Sequence, residues 1–249
     1  MSHRRLLLSS LALISTLGTG CKDEPAPGDD GLDATGVDAA TDAATDAASC
    51  PAPVPLFLNR SAGTYQVGAT TDAATNTIKF TDREAVVAPT QYDDTQWREV
   101  VACVRAAVAP FNVEVVETEP ASGGYAEVAV GHRYWGTNAQ FMTMVAEATC
   151  TPPPRPVIFV FTGADSSGAP AATCKDAVAG WAMATAKLDW VLRPPAGRDY
   201  LTWDGNAAPS WIDEPLACGE QTARACRCGG TTQHAYASLL AAYGPACTD

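Results

Sequence analysis

The alternation of apolar and polar residues predicts short strands along the chain after residue 50. Runs of alternating apolar residues bounded by Gly, Asn and Asp are typical of strands joined by turns. The run Val157–Phe161 is apolar at every position, which is typical of a central strand covered on both faces. The predicted strands span residues 54–59, 64–67, 77–80, 111–115, 125–130 and 157–161.

Apolar residues spaced three and four apart predict the helices. One helix follows the capping candidates Asp94 and Thr95 and stops at Pro110. A second follows a capping box formed by Thr173 and Asp176. The second helix ends near residue 192, and shorter helices are predicted over 140–149 and 233–243. This order predicts an α+β single domain in which two longer helices pack on a mixed, mostly central sheet, with a disulfide-rich C-terminal part.

The first twenty residues have the layout of a secretory signal peptide. A basic stub precedes the apolar run Leu6–Leu17, and the small residues 18–20 lead to Cys21. A membrane-spanning helix needs about twenty apolar residues, so this run is too short to cross a bilayer. The sequence therefore predicts a signal peptide over residues 1–20.

Cys21 follows these small residues as in the lipobox of bacterial lipoproteins, although Gly18 stands where leucine is usual. The resemblance implies that the Cys21 thiol is acylated and becomes the mature N-terminus. The protein is then expected to be an exported lipoprotein, anchored in a membrane and facing the periplasm or the outer surface. The alternative is an ordinary cleaved signal peptide that leaves Cys21 as a thiol.

Residues 21–49 predict an acidic, disordered tether. They consist almost entirely of Asp, Ala, Gly, Thr and Pro, with the near-repeat DAATDAATDAA over residues 38–48. Low hydrophobicity and charge of one sign cannot offset the conformational entropy lost on folding. As a flexible coil, the segment reaches roughly 30 Å.

The charge balance excludes several classes of partner. The chain has 16 basic and 28 acidic residues, a net charge of −12, and no basic cluster. Nucleic acids and anionic lipid headgroups both need concentrated Lys and Arg. Residues 50–249 are long enough for one globular domain with its own core, and we expect a monomer without cofactors.

Cysteine usage supports export independently. Apart from Cys21, the chain has an even number of cysteines, which in an exported protein predicts disulfides whose pairing is open. The rival interpretation is a zinc site that includes Cys218, Cys226 and Cys228, but no second CxxC or HxxxH completes it. The cysteines expected to pair are Cys50, Cys103, Cys150, Cys174, Cys218, Cys226, Cys228 and Cys247.

No complete catalytic motif is present in the sequence. His132 and His234 are the only histidines that remain after the signal peptide, and both are expected to be structural. A serine triad needs a Ser on a sharp turn, and the loop that contains Ser166 and Ser167 lacks the GxSxG frame. The adjacent carboxylates of Asp213 and Glu214 are expected to lie in a solvated turn.

Tryptophans are concentrated in the second half of the domain. Aromatic side chains can line a sugar or peptide groove, but core packing is the expectation for them. They are Trp135, Trp181, Trp190, Trp203 and Trp211.

The segment 179–204 resembles the active-site helix and Met-turn of metzincin zinc metalloproteases found among secreted bacterial lipoproteins. The resemblance lies in a helix after a buried strand, followed by the sequences KLDW at 187–190 and YLTW at 200–203. The cysteine-rich segment 218–230 and the opening segment 57–65 resemble the same proteins.

The family motif HExxHxxGxxH is absent at the corresponding positions. The resemblance places the three histidine ligands at Gly180, Ala184 and Trp190. It places the general-base glutamate at Trp181, the turn glycine at Lys187 and the Met-turn methionine at Leu201. None of these residues can bind zinc or activate water.

The resemblance therefore implies a metzincin-like fold that has lost its metal site. The expected function is a non-catalytic binding module at the cell envelope, with a peptide or protein ligand. The alternative is an active secreted hydrolase, metallopeptidase-like, whose site the motifs do not reveal.

Overall fold

The computed structural model describes residues 50–134, 143–162, 169–194, 197–203 and 209–247. The expected signal peptide, Cys21 and the tether lie outside the described residues. Trp135, Ser166 and Ser167 also lie outside them.

The described chain forms an α+β domain with a mixed central sheet, as predicted. Its strands are β1 Val54–Asn59, β2 Gly63–Val67, β3 Thr77–Ile78, β4 Ala85–Pro89, β5 Val113–Val116, β6 Ala126–Tyr134, β7 Met144–Ala146, β8 Val157–Phe161, β9 Leu216–Ala217 and β10 Thr232–Gln233. Its helices are α1 Asp94–Val108, α2 Pro170–Ala186 and α3 Ala235–Tyr243.

Strand β6 is the centre of the sheet. Its first half pairs in parallel with β1 on one side and with β8 on the other, and β1 pairs in parallel with β5. The strand β7 pairs antiparallel with β8 and is the last described strand on that side of the sheet. The second half of β6 pairs antiparallel with β4, which leads to β2 and β3.

The helices cover one face of this sheet. Alternate residues of β1, β6 and β8 join one core cluster with the buried faces of α1, α2 and α3. The predicted stripe on α1 is confirmed, since Trp97, Val100 and Val104 are buried. The capping residue differs from the prediction, because the carboxylate of Asp93 accepts the N–H groups of Thr95 and Gln96.

The opposite face of the sheet has a second core cluster. Phe57, Phe159 and Phe161 from the central strands pack there with Tyr65 of β2 and Ile78 of β3. The β2–β3–β4 extension therefore covers the face that the helices leave open. Strand β4 is missing from the sequence-based prediction because its pattern is short and bounded by Pro89.

Two helix predictions need correction. The described part of the predicted helix 140–149 contains strand β7 instead, because pairing with buried β8 outweighs the local propensity. Helix α2 begins at Pro170, before the predicted capping box, and Thr173 is buried inside its first turns. It also ends earlier than predicted, at Ala186, because Lys187 adopts a left-handed conformation.

The eight cysteines of the described residues lie at disulfide distance in four pairs, with Cα–Cα distances of 5.2–6.1 Å. Such pairing is consistent with the predicted framework and indicates an oxidising environment outside the cytosol. None of the helices in the described ranges is both long and apolar enough to span a bilayer. The pairs are Cys50–Cys247, Cys103–Cys174, Cys150–Cys228 and Cys218–Cys226.

Candidate functional site

The candidate site is the C-terminal half of α2 with the loops that follow it. Helix α2 comes after the fully buried strand β8 in the chain and packs directly on it. Most of its side chains are buried, so the helix is enclosed by the sheet and its neighbouring helices. The six positions to which the resemblance assigned the metal site lie on this helix or in the following loops.

Gly180 lies against the sheet. A Cβ built at this residue would be 2.5 Å from Cγ2 of Ile158 and 3.2 Å from Cγ and Sδ of Met144. Atoms this close repel strongly, so only glycine allows this approach of α2 to β7 and β8. A histidine ligand has no space at this position.

Trp181 and Ala184 are also buried. The indole of Trp181 lies 6.0 Å from the ring of Phe111 and 5.2 Å from that of Tyr243, measured between ring centroids. The expectation of core packing is confirmed for Trp181. Ala184 is fully buried within the helical core cluster. Neither residue faces an open cleft.

Lys187 ends α2 in a conformation that glycine normally supplies. Its φ is 61° and its ψ is 28°, in the left-handed region. This is the position that the resemblance assigned to the turn glycine. The chain turns here and continues toward Asp189 and Trp190.

Asp189 is a buried carboxylate that holds the cysteine-rich segment. It accepts two hydrogen bonds from the guanidinium of Arg224, at 2.6 and 2.9 Å, and one from the backbone N–H of Arg227 at 2.9 Å. Gln233 bonds both backbone groups of Asp189, donating to its carbonyl and accepting from its N–H. The loop after α2 is therefore fixed to the middle of the cysteine-rich segment 218–230 and to strand β10.

The charge state of Asp189 follows from these contacts. Burial alone would raise the pKa of this carboxyl, but the Arg224 guanidinium and the N–H groups of Arg227 and Trp190 outweigh it and lower the pKa. The carboxylate thus stays ionised although it is inaccessible to water. It serves as a structural charge and is unsuited to proton transfer near neutral pH.

Leu201 is fully buried at the position assigned to the Met-turn methionine. The buried carboxylate of Asp199 shapes this loop by accepting the N–H groups of Leu201 at 2.9 Å and Ile212 at 3.0 Å. Burial raises the pKa of Asp199, while the two N–H groups oppose that effect. In its described part the loop is a packed turn, and the Leu201 side chain is no metal ligand.

Trp190 and Trp203 form an edge-to-face pair with ring centroids 5.3 Å apart. Trp190 is half-buried, whereas Trp203 is 56% exposed. The expectation of core packing is therefore wrong for Trp203, because hydrophobicity alone does not reveal which face of a loop is solvated. Trp211 is partly buried beside Phe111 and donates to the carbonyl of Ala107.

The remaining candidate residues from the sequence lie outside α2, and both histidines have hydrogen-bond partners. The ring Nδ1 of His132 lies 3.0 Å from the carbonyl oxygen of Thr162, and Nε2 of His234 lies 2.8 Å from the carboxylate of Asp213. Asp213 and Glu214 are exposed, as the sequence predicts. Within the described ranges, no three His, Cys, Asp or Glu side chains form a group that could hold a metal ion.

The rival zinc interpretation for the cysteine-rich segment is wrong. Cys218 pairs with Cys226, and Cys228 pairs with Cys150. A paired sulfur has no thiolate with which to bind a metal. The sequence does not single out Arg224 as the partner of Asp189, since the two lie 35 residues apart and no local pattern joins them.

A comparison of this chain with protein-family models, curated proteins and solved structures finds no match. The assignment of its function therefore depends on its own residues.

Gly180→Ala is expected to lower the free energy of unfolding by about 1–2 kcal/mol. Overpacking against Ile158 costs roughly 1–3 kcal/mol, which exceeds the gain of about 1 kcal/mol in helix propensity. Denaturant unfolding measures the change. The control is Gly124→Ala, whose Cβ would meet only the Pro154 carbonyl oxygen at 3.5 Å. Unchanged or increased stability of Gly180→Ala would contradict the close packing.

Asp189→Asn is expected to destabilise the domain by about 1–2 kcal/mol at pH 7, at the low end for a buried charge because Arg224 is a third exposed. The pKa of Asp189 is lower in the folded than in the unfolded state. The stabilisation by the ionised carboxylate is therefore complete above the ordinary pKa of 3.8, and it is lost as the pH falls through the lower pKa of the folded state. Unfolding curves from pH 2 to 7 test this. The exposed Glu214→Gln is the control, and a pH-independent difference between Asp189→Asn and the wild type would refute the charge network.

Proposed function

We propose that this domain is a non-catalytic binding module built on a metzincin-like scaffold that has lost its metal site. The observation that carries the proposal is the packing of Gly180, which leaves no space for a side chain where the resemblance expects the first zinc ligand. The burial of Trp181 and Ala184 supports the absence of a metal site, because neither side chain faces the solvent in which a zinc-bound water would lie. The same burial argues against a protease-like cleft on α2, so the scaffold assignment depends on the sequence resemblance and on the turn at Lys187. The left-handed Lys187 at the turn-glycine position supports the scaffold assignment.

Metal-dependent peptide hydrolysis needs several groups at once. Zinc must be fixed by three protein ligands with an open position for water, beside a general base. On α2, the corresponding positions have no imidazole and no carboxylate. Restoring one ligand would not create a site, because the remaining positions would still supply neither the other ligands nor the general base.

The edge of β7 away from β8 is the surface that we propose for a peptide or protein ligand. Among the described strands, only β8 pairs with β7. Along an antiparallel strand, the backbone N–H and C=O groups of one residue bond the neighbouring strand, and those of the next residue point away from it. The N–H of Phe161 donates to the carbonyl of Thr143, so by alternation the backbone groups of Met144 point to the free edge. An extended peptide can add there as a further strand.

We also propose that the protein is an exported lipoprotein anchored through Cys21. The short apolar run, the small residues before Cys21 and the acidic segment after it support this assignment. The disulfide pairing of the domain supports an oxidising location. The domain would then bind its ligand near the membrane surface.

The mature domain is expected to hold less than about 0.1 zinc per chain after dialysis, because the described residues offer no three-ligand site. Metal analysis and digestion of a broad peptide library test this. The comparison variant is His132→Ala with His234→Ala, which should behave like wild type in both assays. About one tightly held zinc per chain that the double variant loses together with proteolysis would overturn the proposal.

Cys21→Ser is expected to move the protein from the membrane fraction to the soluble exported fraction, because the thiol is the acylation site. Fractionation with mass spectrometry of the N-terminus measures this. The control is Ser15→Ala, which changes a residue inside the apolar run and should leave anchoring intact. Membrane association that persists in Cys21→Ser with an unmodified N-terminus would contradict the lipid anchor.

A further inference from the structure

Glu127 is a carboxyl group near the start of the central strand β6. It lies in β6 opposite Phe57 of β1 and Val157 of β8, and it is 2% exposed. Phe57 and Val157 both belong to the second core cluster, on the face of the sheet away from the helices. An ionised carboxylate in an apolar cluster is unfavourable unless a cation pairs with it.

The partners of Glu127 are neutral side chains. Its Oε1 accepts one hydrogen bond from the hydroxyl of Tyr65 and one from the amide of Asn59, both 2.7 Å long. In the part of the chain that the structure describes, no salt bridge includes Glu127. Among the described residues, its partners therefore offer hydrogen bonds without a compensating positive charge.

The charged and titratable groups around Glu127 increase this imbalance. Glu119, before β6, is of the same sign and bonds the hydroxyl of Tyr125 at 2.9 Å. Arg155, before β8, is bound to Asp72 at 2.8 Å and is thus already neutralised. Burial, reinforced by Glu119, raises the pKa of Glu127, and the bonds from Asn59 and Tyr65 offset this only in part.

Tyr65 connects Glu127 to the β2–β3–β4 extension. It lies in β2, is fully buried and packs edge-to-face on Phe159, with ring centroids 4.9 Å apart. Asn59 also organises the turn into β2, because its side chain donates to the carbonyl of Ala62 and accepts the N–H of Ser61. Glu127 is therefore bonded both to a side chain of this extension and to the residue that organises the turn into it.

We propose that Glu127 makes the docking of the β2–β3–β4 extension pH-sensitive, so that the extension is closed while Glu127 is protonated and opens more often when Glu127 is ionised. Opening allows water to reach the carboxylate and removes the unfavourable burial of its charge. It also exposes the second core cluster, including Phe159 and Phe161. A change of pH around the exported domain thus controls an apolar surface on the side opposite α2.

The sign of the effect follows from the two states. The carboxyl has its ordinary pKa of about 4.5 in the open state and a raised pKa in the closed state. The closed state is therefore fully favoured below 4.5 and loses this contribution as the pH rises through the closed-state value. Between the two values, the opening constant is expected to increase by up to about tenfold per pH unit, and then to level off.

Hydrogen exchange of the β2 amides, corrected for intrinsic rates and followed from pH 4 to 9, tests the proposal on the mature protein. Wild-type protection should fall with pH as described. Glu127→Gln keeps an acceptor for Tyr65 and Asn59 but cannot ionise, so its protection should be independent of pH. Glu114→Gln, a change at an exposed carboxylate of β5, should retain the wild-type dependence. If Glu127→Gln retains it too, the proposal is overturned.

A second variant keeps the test decisive if Glu127→Gln fails to fold. Tyr65→Phe removes one donor that favours the ionised carboxyl, so the closed-state pKa of Glu127 rises further. The fall in β2 protection should then extend to higher pH, with the exchange of the α1 amides as internal reference. If β2 protection in Tyr65→Phe levels off at the same pH as in the wild type, the proposal is also overturned.

Discussion

The close approach of α2 to β8 is the constraint on which the rest of the structure depends. At Gly180 the helix backbone lies so near the sheet that a Cβ would overlap the side chain of Ile158. From this position, Trp181 reaches Phe111 and Tyr243, and Cys174 reaches Cys103 of α1. The contact thus sets the positions of α1 and α3 as well as α2. Since it also fills the place expected for a metal ligand, the stable packing and the absence of a ligand there have the same cause.

Three buried carboxyl groups of the domain differ in the partners that compensate for their charge. Asp189 is paired with Arg224 and remains ionised, which fixes the cysteine-rich segment to the loop after α2. Asp199 receives backbone N–H groups and shapes a single loop. Glu127 has only neutral donors. A charge-paired carboxylate stabilises the fold above its pKa, whereas an unpaired one destabilises the fold there, so the contacts of Asp189 and of Glu127 respond to pH in opposite directions.

The amount that could be predicted differs between the fold and the site. Periodicity identifies β1, β8 and α1 because each has a strong pattern of its own, and the four-pair cysteine arrangement follows the even count. Periodicity predicts a helix where β7 lies, because the three half-buried residues of this strand show no alternation of their own and depend on pairing with β8. It also misses β4, whose short pattern ends at Pro89 and which becomes a strand through pairing with β2 and with the second half of β6. For the site, the resemblance selects positions on α2, but it cannot reveal that Gly180 is closed by Ile158 and Met144.

The sequence by itself determined most of the strand and helix segments, the acidic character of the chain and the lack of a three-histidine motif. These features depend only on residue types and their spacing. It also determined that the cysteines after residue 49 could all pair. Only the tertiary structure decided which cysteines pair, which face of α2 is closed, and which partners surround Asp189 and Glu127. Arg224 lies 35 residues from Asp189, and Tyr65 lies 62 residues from Glu127. Contacts across such separations arise only when the sheet and helices assemble, so no local pattern in the chain encodes them.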